Sequence, residues 1–227
     1  MPYAIENFVT QAAGGGSPST WDSANFTAVA GETLIAFLNW KNDVAVTSLT
    51  DIVGTNDSWT LVGSGVVNGT ADRWRAYYLE NVAAGSCTLR VTWSGGVGSP
   101  KFNIVAVSGL AASPLDTFAE NIQVSPGTGT DAITSGLTPT LAAQPAMLLG
   151  GSWNYTALDP PAVGTDFINI GTDTARNRFE HKRLTATDAV AATFTNSPAN
   201  SHATIAIVFT EDDETAVNKT ILMLGVG

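Results

Sequence analysis

Two stretches decide the fold: Phe26-Thr-Ala-Val-Ala-Gly-Glu-Thr-Leu-Ile-Ala-Phe-Leu-Asn-Trp40 and Ala143-Gln-Pro-Ala-Met-Leu-Leu-Gly-Gly-Ser-Trp153. Each is a turn of small residues, then an apolar run, then a tryptophan. A second echo follows each. Arg73-Trp-Arg-Ala-Tyr-Tyr-Leu79 leads to Cys87-Thr-Leu-Arg-Val-Thr-Trp93, and Arg178-Phe-Glu-His-Lys-Arg-Leu184 leads to Ala191-Ala-Thr-Phe194. Internal similarity of this kind is read before anything else. It divides the chain into two related β-halves, about 1–110 and 111–210, followed by a tail over 211–227.

Outward from these stretches, short apolar runs recur about every ten residues, bounded by Gly, Pro, Asn, Asp and Ser, which is the all-β signature. In Cys87–Trp93 alternation turns Cys87, Leu89, Val91 and Trp93 inward and Thr88, Arg90 and Thr92 outward, as in a sheet with one buried face. Residues 33–40 and 146–153 are apolar on both faces and read as central strands. Very little helix is expected. The best candidate is one turn over 111–118, where Ser113-Pro114 offers a start. The segment from Ser108 to Asp116 is too short for a flexible linker, and each half alone would expose sheet edges. The halves are therefore expected to pair into a single antiparallel jelly-roll-like β-sandwich.

The 227 residues are 44% hydrophobic, ample for a core, but only 13% charged, with a net charge of −10. That sign argues against nucleic acid and anionic membranes, both of which need basic patches. No apolar run is long enough for a membrane span. The N-terminus, Met1-Pro-Tyr-Ala-Ile-Glu, has neither the charged nor the apolar region of a secretory signal. The lone Cys87 excludes an internal disulfide and reads as a small buried residue.

Catalytic signatures are missing: no Gly-x-Ser-x-Gly elbow, phosphate-binding loop, dinucleotide fingerprint or His-Glu-x-x-His. The two histidines, His181 and His202, fall on different strands and could meet only across a sheet. Asp166 and Glu180 lie near strands, but sequence does not say whether they face each other as a glycosidase pair would. Most other acids stand in turns, as Asp51 and Asp57 do, where Asp bonds its own backbone. Such acids could gather oxygen ligands for Ca²⁺, although EF-hand spacing is absent. No cofactor is expected.

Three segments are candidate contact sites. Trp153 and Tyr155, two residues apart beside a loop, could present aromatic faces to a sugar. Arg176, Arg178 and Lys182 share a strand face with Glu180, opposite Phe179 and His181, and form either a solvated face or a patch for an acidic partner. Ile221, Leu222, Met223 and Leu224, after an acidic spacer, either complete the chain's own sheet or dock on a neighbour.

The first half resembles a repeat-type β-sandwich found in bacteriophage virion proteins and bacterial surface proteins. The residues that carry the resemblance are Gly31-x-x-Leu34-Ile-Ala36, then Val46-Thr-Ser-Leu-Thr-Asp51-x-x-Gly54-x-x-x-x-Trp59-Thr-Leu-Val-Gly63. They continue with Tyr77-Tyr-Leu-x-Asn81-Val-Ala-Ala-Gly-Ser86, Val91-Thr92 and Ile104-Val-Ala-Val-Ser-Gly109. The second half is similar to the continuation in such proteins, so the resemblance covers about 1–210. These are turn and core positions with no active site among them. The resemblance implies a non-enzymatic decoration, head-fibre or tail-associated protein on a virion surface. It would be made in the host cytoplasm, and its partners would be other virion proteins and further copies of itself. The alternative is a carbohydrate-binding module that attaches to cell-surface glycans through the aromatics near Trp153.

Overall fold

A computed structural model describes residues 2–12, 16–68, 72–123, 131–154, 160–172, 177–196 and 202–212. All regular structure among them is β. The first half contains β1 (Ala4–Ala12), β2 (Thr20–Asp22), β3 (Phe26–Ala28), β4 (Thr33–Lys41), β5 (Val46–Asp51) and β6 (Thr60–Asn68). It closes with β7 (Asp72–Leu79), β8 (Gly85–Cys87), β9 (Leu89–Trp93) and β10 (Gly98–Ser108). The second half contains β11 (Leu110–Gln123), β12 (Asp131–Thr134), β13 (Ala146–Asn154) and β14 (Ala162–Val163). It ends with β15 (Ile168–Thr172), β16 (Asn177–Leu184), β17 (Thr193–Asn196) and β18 (His202–Glu211).

Two five-stranded antiparallel sheets form the centre, in the orders β1-β10-β4-β7-β6 and β11-β18-β13-β16-β15. They pack face to face: Ile35, Phe37, Val105 and Val107 of one join Met147, Leu149, Ile205 and Ile207 of the other in a shared core. The chain passes between them through Gly109 alone, in the left-handed conformation that glycine adopts without strain. Smaller sheets cover the outer faces. β2-β9-β5 and the pair β3-β8 lie over the first inner sheet, and β12-β17-β14 lies over the second. The antiparallel sandwich expected from the sequence is thus present, with two outer layers added.

Double coverage explains the unbroken apolar runs. In β4, Leu34, Ala36, Leu38 and Trp40 enter the outer core of the first half, while Ile35 and Phe37 enter the shared core. β13 is buried along its whole length. Strand order corresponds one to one between the inner sheets, so β4 stands where β13 does. The echo of tryptophans does not carry over to the faces. Trp40 points into the outer core beside Trp93, and Trp153 points into the shared core.

The helical turn considered for 111–118 is strand. β11 is an edge strand, and its register shifts between Leu110 and Leu115 and again between Leu115 and Thr117. Those irregularities accommodate Pro114, which has no N–H to give a ladder.

Close approach of the inner sheets is set by glycine. A Cβ on Gly151 would meet Trp74 at 3.1 Å and Phe179 at 3.2 Å, and one on Gly171 would overlap the Phe8 ring. Between the sheets, Phe179 packs on Phe37 with centroids 4.8 Å apart and on Phe8 at 5.4 Å. Polar ties pin the alignment. The Asn177 amide donates to Asn39 Oδ1 at 3.1 Å, and Glu120 accepts from the Ser64 and Gly65 N–H groups, both at 3.2 Å.

Candidate functional site

Several acids hold main chain: among the described residues Glu32, Asp51, Asp57, Asp116, Glu120 and Glu180 accept backbone N–H groups. Asp51 is buried where β5 ends. Its carboxylate accepts from the N–H groups of Gly54 (3.0 Å), Thr88 (3.1 Å) and Val53 (3.2 Å) and from the Asn56 amide (3.2 Å). Burial by itself would raise this carboxyl, but those N–H groups outweigh it and hold it below the usual range. Asn56 in turn accepts from the Ala83 N–H through its side chain, and its carbonyl accepts from the Trp59 indole at 2.8 Å. The Asp51-x-x-Gly54 and Trp59 positions of the sequence pattern are therefore the anchors of one loop. Asp57 (to the Asp51 N–H), Glu32 (to Val29) and Asp116 (to Ala142 and Ala143) do the same elsewhere.

Among the described residues Glu180 is the most deeply placed acid, with no accessible surface. It sits on β16, facing the outer core of the second half. Its oxygens accept from the Gly164 N–H at 2.8 Å and the Thr193 N–H at 3.1 Å, tying the loop after β14 and the start of β17 to the inner sheet. Burial pushes its carboxyl up to about 7, against the smaller lowering effect of the two N–H groups. Asp166 is exposed and faces Lys182 Nζ at 3.8 Å, so the two acids do not form a pair across an open cleft.

The predicted contact residues are distributed as follows. Trp153 is 3% exposed in the shared core, with Lys101 Nζ 5.3 Å from its ring centroid. No face of that ring is open to a sugar. Tyr155 lies outside the described residues, as do Arg176 and all of Ile221, Leu222, Met223 and Leu224. Arg178 and Lys182 do share a face with Glu180, as alternation predicts, but the outer sheet lies over that face. The Arg178 guanidinium donates to the Pro161 carbonyl (2.8 Å) and to Asn169 Oδ1 (3.1 Å), and burial lowers its pKa. Lys182 lies over the Phe167 ring at 5.5 Å. Both cations are engaged within the fold.

The histidines occupy opposite faces of the second inner sheet. His202 is fully buried toward the outer core, with Nδ1 3.1 Å from Ser152 Oγ. His181 faces the first sheet, so the two cannot share an ion. Among the described residues no group of three or more His, Cys, Asp or Glu is placed to hold a metal. Cys87 is buried, and burial pushes its thiol up, away from thiolate chemistry.

The opening that sequence reading did not anticipate is at the lateral rim of the shared core, where β1 passes over β15 and β16. Tyr3, Ala4 and Ile5 from β1 and its lead-in, Ile168 from β15, and His181 and Arg183 from β16 line a mostly apolar, open-sided cavity of about 440 Å³. Ile168 is 61% exposed there. Tyr3 Oη stands 2.7 Å from His181 Nδ1. Burial lowers the His181 pKa, which favours the neutral ring in this contact with the phenol. The phenol itself is pushed up to about 12 by burial and by the charge of Glu211, with Arg183 opposing. Glu211 is buried and takes two bonds from the Arg183 guanidinium, at 2.8 and 2.9 Å. No local motif announces this cavity, because its walls come from segments more than 160 residues apart.

Comparison with known proteins finds no match: no family model, no curated protein and no solved structure aligns with the chain.

Proposed function

We propose that this protein is a non-enzymatic structural and adhesive component of a bacteriophage particle, a decoration, head-fibre or tail-associated protein displayed on the virion surface. The observation that carries the reading is the use made of its carboxylates. Glu32, Asp51, Asp57, Asp116, Glu120 and Glu180 accept main-chain N–H groups, and Asp22 and Glu211 hold Arg90 and Arg183. Charge-assisted bonds of this kind are stronger than neutral ones and fix loops to strands. Four stacked β-layers cross-tied in this way make a stiff body suited to display and load-bearing. A catalytic carboxylate, by contrast, needs an open site and a reactive oxygen. The resemblance of residues 31–109 to virion and surface sandwiches points the same way, since it too consists of turn and core positions. The second part of the proposal is association with other virion proteins and with copies of itself.

Mass spectrometry of particles purified from the source strain tests the assignment. The expected result is this chain at a fixed multiple of another particle protein, retained through a density gradient. Its absence from intact particles overturns the reading.

A further inference from the structure

We propose that the buried Asn39–Asn177 pair selects the partner of each inner sheet. It holds the first sheet to the second within one molecule and penalises pairing of either sheet with its like in another copy. The two amides stand in an otherwise apolar interface. Alternation along β4 puts Asn39 on the face of Ile35 and Phe37, and along β16 it puts Asn177 on the face of Phe179. Both are buried, and the Asn177 amide donates to Asn39 Oδ1 across the sheets at 3.1 Å. Their surroundings are not built for stability. Among the described residues the Asn39 amide nitrogen has no acceptor, nor has the indole N–H of Trp74, the residue directly opposite on β7. Asn103, on the face of Val105 and Val107 in β10, has no partner for either amide atom. Buried amides left partly unbonded cost stability, and apolar side chains of similar volume fill such space without that cost.

Stability therefore does not explain the pair, and choice of partner does. The two inner sheets share one strand order, and each turns a face of aliphatic and aromatic side chains to the other. Apolar burial has no direction. Those faces by themselves accept a like sheet from a second copy, about a two-fold axis, as readily as they accept each other. The halves are joined by Gly109 alone, and each has a further core under its own outer layer. The cross-sheet bonds of Glu120 to Ser64 and of Tyr3 to His181 lie at the rims, where water replaces a lost partner. The Asn39–Asn177 bond is buried, so water does not replace it. In a slipped or like-with-like pairing each amide is set against apolar side chains. A single buried Asn chooses register and partner in helical coiled coils by the same penalty.

Replacing the pair by leucine tests the selection. The full chain carrying Asn39→Leu and Asn177→Leu is compared with wild type and with Asn103→Leu, whose amide bonds nothing across the interface. Urea titration reads stability. Light scattering after unfolding and refolding at matched concentration reads self-association, and a two-dimensional amide spectrum reads the number of folded forms. The double variant should have a urea midpoint at or above that of wild type. Its dimer fraction should rise about ten-fold or more, the shift expected when one buried polar discrimination is lost, and its spectrum should show more than one folded form. Asn103→Leu should raise the midpoint and leave the dimer fraction unchanged. A double variant that is less stable than wild type, or does not fold, overturns the proposal, because the amides then serve stability. A stable double variant with the wild-type dimer fraction and a single set of resonances overturns it too. So does an equal rise in dimer for Asn103→Leu, which would make apolarity alone the cause. These measurements use the isolated protein, so their failure leaves the virion assignment untouched.

Discussion

Glu180 should make the stability of the second half fall as pH rises toward neutrality. The unfolded chain releases this proton near 4.5, the folded protein only near 7. Below about 4.5 the carboxyl is protonated in both states and contributes no pH dependence. Between the two values the folded state holds a proton that the unfolded state has lost, so each unit of pH removes stability. Above 7 the penalty is constant, at about 3.5 kcal/mol for the step from 4.5 to about 7 at about 1.4 kcal/mol per pH unit. Between pH 5.5 and 8 the expected loss is about 2 kcal/mol. At a denaturant slope of 2–3 kcal/mol/M, that moves the urea midpoint by about 0.7–1 M. Glu180→Gln removes the titration while keeping one acceptor oxygen for the Gly164 or Thr193 N–H. The quantity to measure is the difference between wild type and variant in urea titrations at pH 5.5, 6.5 and 8, because other acids cancel in it. Wild type should lose about 2 kcal/mol relative to the variant across that range. A difference constant with pH would refute the reasoning, since it would mean that Glu180 ionises in the folded state as readily as in the unfolded one.

Asp51→Ala strips three N–H groups and the Asn56 amide of their acceptor, and should cost about 3 kcal/mol or more in chemical denaturation. A loss under about 1 kcal/mol would show that solvent replaces the carboxylate. Because its pKa is held low, the contribution of Asp51 is present above the unfolded value near 4 and fades as pH falls through the folded one, which acid titration of D51A against wild type reads directly. Gly171→Ala should destabilise by about 1–3 kcal/mol through overlap with the Phe8 ring, and Phe8→Leu in the same chain should recover part of that. Purely additive losses would mean that the two sheets are not in contact there. Cys87 should react with a thiol reagent at pH 8 only as fast as the protein unfolds; rapid modification of the native state would contradict its burial.

The class of fold was legible because its signals are local. Alternation in Cys87-Thr-Leu-Arg-Val-Thr-Trp93 assigned its faces correctly, and the double-faced runs ending at Trp40 and Trp153 marked the central strands. Alternation along Arg178–Leu184 likewise separated Arg178, Glu180 and Lys182 from Phe179 and His181. It could not say which face is wet. That depends on β12, β14 and β17 arriving from elsewhere in the chain to cover Glu180 and Arg178. The same limit applied to Pro114, which reads locally as a helix start and acts as a bulge on an edge strand.

By itself, then, the sequence determined an all-β chain, its central strands and the side of each strand on which a residue falls, since period-two chemistry is written along the backbone. What only the tertiary structure decided is what each face meets. Two tryptophans at matching positions enter different cores, two histidines turn away from each other, and Tyr3, Ile168 and Arg183 become the walls of one cavity. Burial, pKa and access to a partner are properties of layers brought together across more than a hundred residues, and no local pattern encodes which layers those will be.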